Sequence, residues 1–175
     1  HPATPIFKPV ILFSMSTITY QWIQDTDLKK FEPISQIYGI CFNDKDEILI
    51  IKKPDGNQWK IPGGRPEPGE TWEETLRREL MEEATVTVKN CQPLGAMRVV
   101  YPQNPNATEG DLFYQARYVC ELEDLLPNTI DPDNGLLHDR KFVPMEEVTK
   151  WIKWDKWGDR MFVDAIEMRK IGKST

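Results

Sequence analysis

The sequence has no long hydrophobic run and little cysteine, and each absence excludes a class of protein. No stretch approaches 18 consecutive apolar residues, the length at which a segment becomes a candidate membrane-spanning helix, so we expect no membrane partner. The three cysteines, Cys41, Cys91 and Cys120, are widely spaced and form no CxxC pair. An odd number of isolated cysteines in apolar runs is typical of buried, reduced thiols, and we therefore expect a cytoplasmic location.

Basic residues are too few for a nucleic-acid groove. The 22 lysines and arginines are outnumbered by 28 acidic residues, which gives a net charge of −6. Proteins that bind nucleic acid through its phosphates need clustered positive charge, so we expect no nucleic-acid partner. A small anionic substrate stays compatible with this composition, provided that metal ions screen its charge. Apolar content of 39% and charged content of 29% are those of a globular chain.

The length of 175 residues suits one domain with a core. We do not expect the first residues of the chain to belong to that domain. The chain begins with His1, and Met15 is a plausible natural start. We therefore interpret residues 1–14 as a non-native or disordered segment and residues 15–175 as a single domain. A secretory signal is the alternative interpretation of the first residues, although the apolar run Val10–Phe13 is short for one.

The most informative segment follows a turn rich in proline and glycine at residues 62–69. Residues 71–84 contain no glycine or proline and are rich in Glu, Leu and Arg, which predicts a helix. At 100° per residue, Glu79, Glu82 and Glu83 project within one arc of about 100°, beside an apolar stripe that would face the core. Like charges so close together repel, more strongly as water is excluded. A bound divalent cation is the simplest way to offset this repulsion between the carboxylates.

Patterns on both sides of this helix predict strands. Runs rich in β-formers at 34–42 and 47–53 indicate a hairpin. Further extended pieces are predicted at 59–61, 86–88, 94–101, 112–122 and 136–143. A helix is predicted to open at residue 144, and a terminal helix is predicted over 158–171. Strands around one early helix, with helices at the end, indicate an α/β fold with a mixed sheet covered on both faces.

The turn and the acidic helix together carry a motif. Gly64, Glu70 and the run Arg78-Glu79-Leu80-Met81-Glu82-Glu83 have the spacing of the Nudix box, GX5EX7REUXEEXGU, in which U is a bulky aliphatic residue. Every specified position matches except the second glycine, where this chain has Thr85, and Val86 fills the last position. The sequence therefore resembles the Nudix hydrolase family over residues 64–86.

This resemblance implies an α/β/α sandwich in which the box forms a loop, a helix and a loop that hold Mg²⁺ or Mn²⁺. It also implies hydrolysis of a nucleoside diphosphate linked to another moiety. Carried over by position, the metal ligands would be Glu79, Glu82, Glu83 and a backbone carbonyl at Gly64. Glu79 would be the catalytic carboxylate, Arg78 would orient it, and Glu70 would pair with Arg78.

Thr85 is a departure from the family pattern. The family's glycine fits a helix cap with positive φ, a conformation that a β-branched residue resists. We therefore expect the helix to end differently here, or the chain to run directly into the next strand. The carboxylates lie upstream of this point, so we expect the site itself to be kept.

The pattern outside the box leaves several assignments open. Some family members place the general base on a later loop, for which the candidates are Glu109, Asp111, His138 and Asp139. The candidate substrate-binding residues are Lys60, Arg98 and Tyr101. Trp151, Trp154 and Trp157 occur at helical spacing, which we interpret first as a packing stripe and second as the surface of a homodimer.

The function that these observations favour is metal-dependent hydrolysis of the pyrophosphate linkage in a small nucleotide-derived diphosphate. ADP-ribose, dinucleoside polyphosphates, nucleotide sugars and modified nucleoside triphosphates all remain candidates as substrates. One alternative is a catalytically silent domain that binds or senses nucleotides. A second alternative is RNA decapping, which the acidic composition disfavours.

Overall fold

The computed structural model describes residues 2–3 and 17–174, so the predicted boundary after residue 14 lies outside the described residues. The strands are β1 (Thr19–Gln24), β2 (Ile34–Phe42), β3 (Glu47–Lys52), β4 (Gly63–Gly64), β5 (Val86–Val100), β6 (Leu112–Leu125) and β7 (Asp139–Pro144). The α-helices are α1 (Trp72–Ala84), α2 (Val148–Trp151) and α3 (Lys156–Lys173). Short 3₁₀ turns cover Leu28–Lys30 and Met145–Glu147.

The strands form one mixed sheet in the order β1-β5-β6-β2-β3-β7, and β4 also pairs with β2. β2 and β6 run parallel, whereas the other pairs are antiparallel. β2 contacts β3 only near one end, where Phe42 lies opposite Ile48. Further along β2, Tyr38 pairs with Gly63 of β4. The sheet therefore divides around β4, and the glycine turn that precedes α1 enters at this division.

Two layers of helix cover the sheet. On one face α1 buries Leu76 and Leu80 completely, in a core shared with residues of β2, β3, β5 and β6. On the other face α3 buries Met161 and Phe162 in a second core, which the 145–152 segment completes. Apolar burial on both faces is what a sheet between two helical layers requires. The predicted α/β/α sandwich with a mixed sheet is confirmed.

Several strands differ from the sequence prediction. The piece expected at 59–61 is reduced to a single bridge between Lys60 and Ile51, and β4 lies in the segment expected as a turn. The region 86–101 was expected as two pieces, but β5 is one strand that pairs with β6 along its length. A shift of register between Lys89 and Gln92, with φ of 50° at Asn90, accommodates the polar residues that suggested a loop. β1 was not predicted, because its residues are largely exposed and show no clear alternation of apolar and polar side chains.

The three C-terminal tryptophans do not form a stripe on one helix, so that part of the interpretation is wrong. The expected packing role is confirmed for Trp154 and Trp157, which pack against the core. Asp155 caps the start of α3, which separates Trp157 from Trp151 at the end of α2. Trp154, in the connection, stacks on Trp157 with ring centroids 5.2 Å apart. Trp157 in turn stacks on Tyr20 of β1 at 4.9 Å. None of the helices described in this structure combines the length and apolarity needed to cross a membrane.

Candidate active site

The start of α1 is fixed by a reciprocal cap. The Thr71 hydroxyl accepts a hydrogen bond from the backbone N–H of Glu74 at 3.2 Å, and the Glu74 carboxylate accepts one from the N–H of Thr71 at 3.1 Å. Such a capping box satisfies two amide groups that the first helical turn leaves free. The cap follows Gly69, whose φ of 84° a residue with a side chain rarely adopts. Local sequence therefore determines where α1 begins.

The packing of α1 brings its carboxylates to the edge of the core. Gly39 of β2 lies beneath the helix, and a Cβ there would come within 2.9 Å of Leu76 Cδ1. This close approach places Glu79 and Glu83 at 7% and 6% exposure, while Glu82 stays half-buried. The three carboxylates expected to act together are thus carried by one helix face at a partly dehydrated surface.

Arg78 connects this face to the preceding turn. Its guanidinium donates two hydrogen bonds to Glu70, at 2.8 and 3.0 Å, so the expected contact between these residues is present. It also donates to Glu79 Oε1 at 3.0 Å and to Glu82 Oε2 at 3.1 Å. A further bond to the carbonyl of Arg65, at 2.9 Å, ties the turn to the helix. Arg78 therefore fixes the positions of two acidic side chains relative to the glycine turn.

We expect Arg78→Lys to lower kcat at least tenfold. An ammonium group cannot reproduce the planar fork that bridges Glu70, Glu79 and the turn, and each lost hydrogen bond to a charged group is worth about 1.5–3 kcal/mol. Steady-state kinetics would measure the change. The matched control is Arg77→Lys on the same helix, because Arg77 contacts Glu73 and the carbonyl of Val88 outside the site. Equal losses in both variants would contradict the assignment.

The carboxylates differ in how readily they ionise. Burial, followed by the neighbouring charge of Glu83, raises the pKa of Glu79 to about 7. Burial, followed by the charge of Asp133, also raises the pKa of Glu82. In contrast, hydrogen bonds from Arg78 lower the pKa of Glu70 to about 2. Glu79 can therefore hold or release a proton near neutral pH, whereas Glu70 stays ionised.

The two glycines of β4 leave room for these carboxylates. The N–H of Gly63 donates to Glu83 Oε1 at 2.9 Å. A Cβ at Gly64 would fall onto the carboxylate of Glu79, and one at Gly63 would collide with the backbone of β2. Gly64 is required here because only a residue without a side chain lets the turn approach Glu79. The turn and the carboxylates thus form a concave, oxygen-rich surface.

Thr85 ends α1 in the manner of the glycine it replaces, so the first alternative, a different helix end, is wrong. The second alternative is confirmed, because β5 begins at the next residue, Val86. The φ and ψ of Thr85 are 53° and 51°, and its N–H bonds the carbonyl of Met81. This conformation costs a β-branched residue about 1–3 kcal/mol. A hydrogen bond from the loop between β6 and β7 offsets this cost, because Thr85 Oγ1 accepts from the N–H of Thr129 at 3.1 Å. Arg140 Nη1 donates to the carbonyls of Ala84 and Thr85.

The loop between β6 and β7 adds candidate metal ligands that the sequence analysis missed. Ligand atoms of Glu79, Glu82 and Asp133 lie within 4.8 Å of one another, as do those of Glu83, Asp131 and His138. His138 was a candidate from the sequence, whereas Asp131 and Asp133 were not. The turn Asp131-Pro132-Asp133-Asn134-Gly135 was the available signal, but nothing in its pattern indicates which part of the fold it meets.

The other loop candidates lie elsewhere. Glu109 forms an ion pair with Arg65 at 3.1 Å and accepts a hydrogen bond from Gln36. Asp111 accepts a bond from the backbone of Asn104. Asp139 is 52% exposed at its side chain and pairs with Lys52. Among the four candidates, only His138 joins a carboxylate group of α1 in the described structure, and the identity of the base stays a prediction.

A cavity of about 680 Å³ opens beside the acidic face. Lys60 connects the two, because it lines the cavity and its Nζ lies 3.3 Å from Glu83 Oε2. The side chains that line the cavity include Tyr20, Tyr38, Trp59, Gln115, Arg117, Trp154 and Trp157. Arg98 and Tyr101, on β5 and directly after it, do not line this cavity, so their predicted contact with substrate stays untested.

The donor set suits a hard divalent cation. Mg²⁺ binds oxygen ligands, and it usually takes one or two carboxylates while keeping several waters. Glu79, Glu82 and Glu83 supply such oxygens, and the absence of a Cβ at Gly64 lets the Glu79 carboxylate lie directly against the turn. Burial raises the pKa of both Glu79 and Glu82, and neighbouring carboxylates raise each pKa as well, so a bound cation would stabilise their ionised forms. The residues therefore fit the expected ion.

Comparisons with known proteins agree with this geometry. The sequence profile of the NUDIX domain matches residues 34–165, more than half of the chain. The chain is 35% identical over 77 residues to a putative 8-oxo-dGTP diphosphatase of Bacillus subtilis, an alignment that covers 44% of this chain and 49% of that protein. It is 33% identical over 85 residues to the NAD-capped RNA hydrolase NudC of Pseudomonas putida, covering 47% and 31% respectively. The chain thus spans about half or less of the length of these relatives.

Among solved structures, the pyrophosphohydrolase BsRppH of Bacillus subtilis superimposes with a TM-score of 0.58 at 21% identity, over 72% of each chain. At this identity the likeness concerns the fold. The acidic helix, its glycine turn and strands β2 to β7 lie inside the region that the domain profile matches, whereas β1 and the end of α3 lie outside it. This chain belongs to the Nudix hydrolase family.

Proposed function

We propose that the chain hydrolyses the pyrophosphate linkage of a small nucleotide-derived diphosphate and depends on Mg²⁺ or Mn²⁺ to do so. The observation that carries the proposal is the group formed by Glu79, Glu82 and Glu83 beside the turn at Gly64. Arg78 holds the first two carboxylates, and the N–H of Gly63 holds the third. When bound, the ion would neutralise diphosphate oxygens and the charge that develops on the leaving group.

The residues of the chain supply orientation and proton transfer. In the proposed reaction a water oxygen forms a bond to one phosphorus, and the bond from that phosphorus to the bridging oxygen breaks. Glu79 accepts the proton of the water, a role that its pKa of about 7 suits, since a general base works best near the operating pH. Arg78 holds Glu79 in place, and Glu70 holds Arg78.

We propose that the nucleobase lies in the neighbouring cavity. Tyr20, Trp157 and Trp154 form a continuous stack along its wall, and aromatic rings favour planar bases by about 1–3 kcal/mol per stacked base. Lys60 stands between this wall and the carboxylates, where it would contact a phosphate. A ligand with an aromatic base at one end and a diphosphate at the other matches this order of an aromatic wall, a lysine and a carboxylate group.

Arg117 gives the cavity a hydrogen-bonding group. It is 3% exposed, and its guanidinium lies 4.4 Å from the centroid of the Tyr38 ring. Its partners are a thioether and the oxygens of Gln115, and no carboxylate of the described residues pairs with it. Burial lowers its pKa to about 10. A buried cation without an acidic partner is costly, which favours a role in binding a carbonyl or anionic group of the substrate.

We expect Arg117→Met to raise KM about tenfold or more, with little change in kcat, because the substitution removes donors to the bound ligand and leaves the carboxylates of α1 untouched. Thermal stability should stay equal or increase, since replacing a buried charge by an apolar side chain is often stabilising. Arg160→Met, at an exposed position of α3, is the control. A lower melting temperature with unchanged KM would show that Arg117 is structural.

The proposed function is tested by a panel of substrates with product identification. The panel contains 8-oxo-dGTP, 8-oxo-dGDP, ADP-ribose, a dinucleoside polyphosphate and a nucleotide sugar, each with Mg²⁺, Mn²⁺ or EDTA. Mass spectrometry of products formed in ¹⁸O-labelled water shows which phosphorus was attacked. We expect turnover of at least one compound that requires the ion. No turnover of any compound, together with measurable nucleotide binding, would establish the catalytically silent alternative.

RNA decapping is the second candidate, because a matched relative is named an NAD-capped RNA hydrolase. It shares the same chemistry at the diphosphate but requires the enzyme to accommodate a polynucleotide. The net charge of −6 disfavours a track for phosphates. Adding an NAD-capped oligonucleotide to the panel decides between RNA decapping and hydrolysis of a small nucleotide. Faster turnover of that oligonucleotide than of free NAD, with strong dependence on salt, would replace the small-molecule proposal.

A further inference from the structure

The imidazole of His138, the residue before β7, is buried without a hydrogen-bond partner among the described residues. It is 2% exposed, and neither Nδ1 nor Nε2 bonds any of the described residues. An unpaired buried polar group costs about 1–3 kcal/mol, and its presence in a native protein calls for an explanation such as a bound ion or a catalytic role. Both imidazole nitrogens of His138 are therefore available as ligands.

Two buried carboxylates lie beside this imidazole. Asp131 is 3% exposed and Glu83 is 6% exposed. The N–H of Asp133 donates to Asp131 Oδ1, while Oδ2 lies 3.8 Å from His138 Nδ1. Lys60 partly balances Glu83 at 3.3 Å, but no lysine or arginine of the described residues pairs with Asp131. Buried charges are normally paired or coordinate a metal, so this cluster requires a cation.

The loop that carries these ligands is held firmly against the end of α1. Thr85 bonds Thr129, and Asn128 Nδ2 donates to the carbonyl of His138 at 2.7 Å. Arg140 bridges the end of the helix and the carbonyl of Leu126 at the start of the loop. These bonds fix the backbone on both sides of Asp131. Ligands on a fixed backbone lose little entropy on binding an ion, which favours a preformed site.

We infer that Glu83, Asp131 and His138 form a site for a divalent first-row transition-metal ion, distinct in its donors from the all-oxygen position at Glu79, Glu82 and Asp133. One ligand atom from each residue lies within 4.8 Å of the other two, so one ion can reach all three after small side-chain movements. Three protein ligands leave coordination positions for water or a substrate oxygen.

The imidazole determines which ions the site prefers. Nitrogen donors suit Zn²⁺, Fe²⁺ and related ions, whereas carboxylates and water suit Mg²⁺. The site containing His138 therefore selects a transition-metal ion, and the all-oxygen group on α1 accepts Mg²⁺. The two sites are adjacent, because Glu83 follows Glu82 on the helix. The inference concerns ion binding alone and needs no turnover, so it stands or fails separately from the proposed function.

The test uses Co²⁺ as a spectroscopic probe of the whole chain, without nucleotide and with Mg²⁺ in large excess. We expect visible d–d absorption that saturates with Co²⁺ despite the Mg²⁺. His138→Gln and Asp131→Asn should each weaken this binding by at least about tenfold, since even residues that only orient ligands change affinity by about 10–100-fold. Asp139→Asn, the exposed neighbour of His138, is the matched control and should bind as the wild type does.

Two further results bear on the site. In the wild type, Co²⁺ should raise the melting temperature in excess Mg²⁺, and this shift should disappear in His138→Gln. If the variants do not fold, pulsed electron paramagnetic resonance of the wild type with Cu²⁺, an ion that imidazole ligands suit, in excess Mg²⁺ should detect coupling to an imidazole ¹⁴N. Displacement of all Co²⁺ by Mg²⁺, full binding by folded His138→Gln, or no nitrogen coupling in the wild type would each overturn the inference.

Discussion

Glu79→Gln is expected to lower kcat by about 10²–10⁴-fold, the range attributed to a general base, while the chain stays folded. The substitution keeps the size of the side chain and its contact with Arg78, but it removes the proton acceptor and one charge from the acidic group. Rates on the best substrate of the panel, measured with saturating Mg²⁺, would show the loss. Binding of nucleotide in the cavity should change little, because Glu79 does not line it.

The matched control is Glu73→Gln on the same helix. Glu73 is exposed and pairs with Arg77 at 2.8 Å, away from the glycine turn. We expect its variant to retain at least half of the wild-type kcat. If Glu79→Gln kept full activity, Glu79 would be excluded as the base, and a residue of a later loop would have to take that role.

The largest expected effect on stability concerns the same carboxylate in the absence of metal. The pKa of Glu79 is raised from 4.5 to about 7 in the folded protein, so the folded state binds its proton more tightly than the unfolded state does. The stabilising contribution is complete below pH 4.5 and is lost as pH rises through 7. For a shift of this size, the lost stability is at most about 3 kcal/mol.

Chemical unfolding in EDTA at pH 5 and pH 8 measures this contribution. Because other groups also titrate, the informative quantity is the difference between wild type and Glu79→Gln. We expect the variant to gain relative stability at pH 8, and we expect Mg²⁺ to stabilise the wild type more than the variant there. A pH-independent difference between the two proteins would contradict the raised pKa of Glu79.

Periodicity and spacing predicted the part of the fold that local sequence determines. The helix that carries Glu79, Glu82 and Glu83 begins and ends within a residue of its predicted bounds, because a cap, good helix formers and an apolar stripe agree. The main strands also followed their apolar runs. Thr85 was mispredicted because its strained conformation is stabilised by Thr129, a contact with a residue far along the chain.

The parts of the site that the sequence did not reveal depend on tertiary packing. Asp131 and His138 meet Glu83 only because β7 pairs with β3 at the edge of the sheet, which brings the preceding loop back over α1. Likewise, the aromatic wall of the cavity joins Tyr20 with Trp157 across most of the chain. Side chains that converge from distant segments leave no periodic trace, so composition alone could suggest their chemistry but not their position.

The most direct test of the central claim is the uptake of Mn²⁺ by the metal-free chain, followed through loss of the electron paramagnetic resonance signal of the free ion. We predict that the wild type binds Mn²⁺ and that Glu79→Gln and Glu82→Gln bind it at least about tenfold more weakly, since each removes a charged oxygen ligand. Failure of the wild type to take up Mn²⁺, with or without nucleotide, would contradict the account.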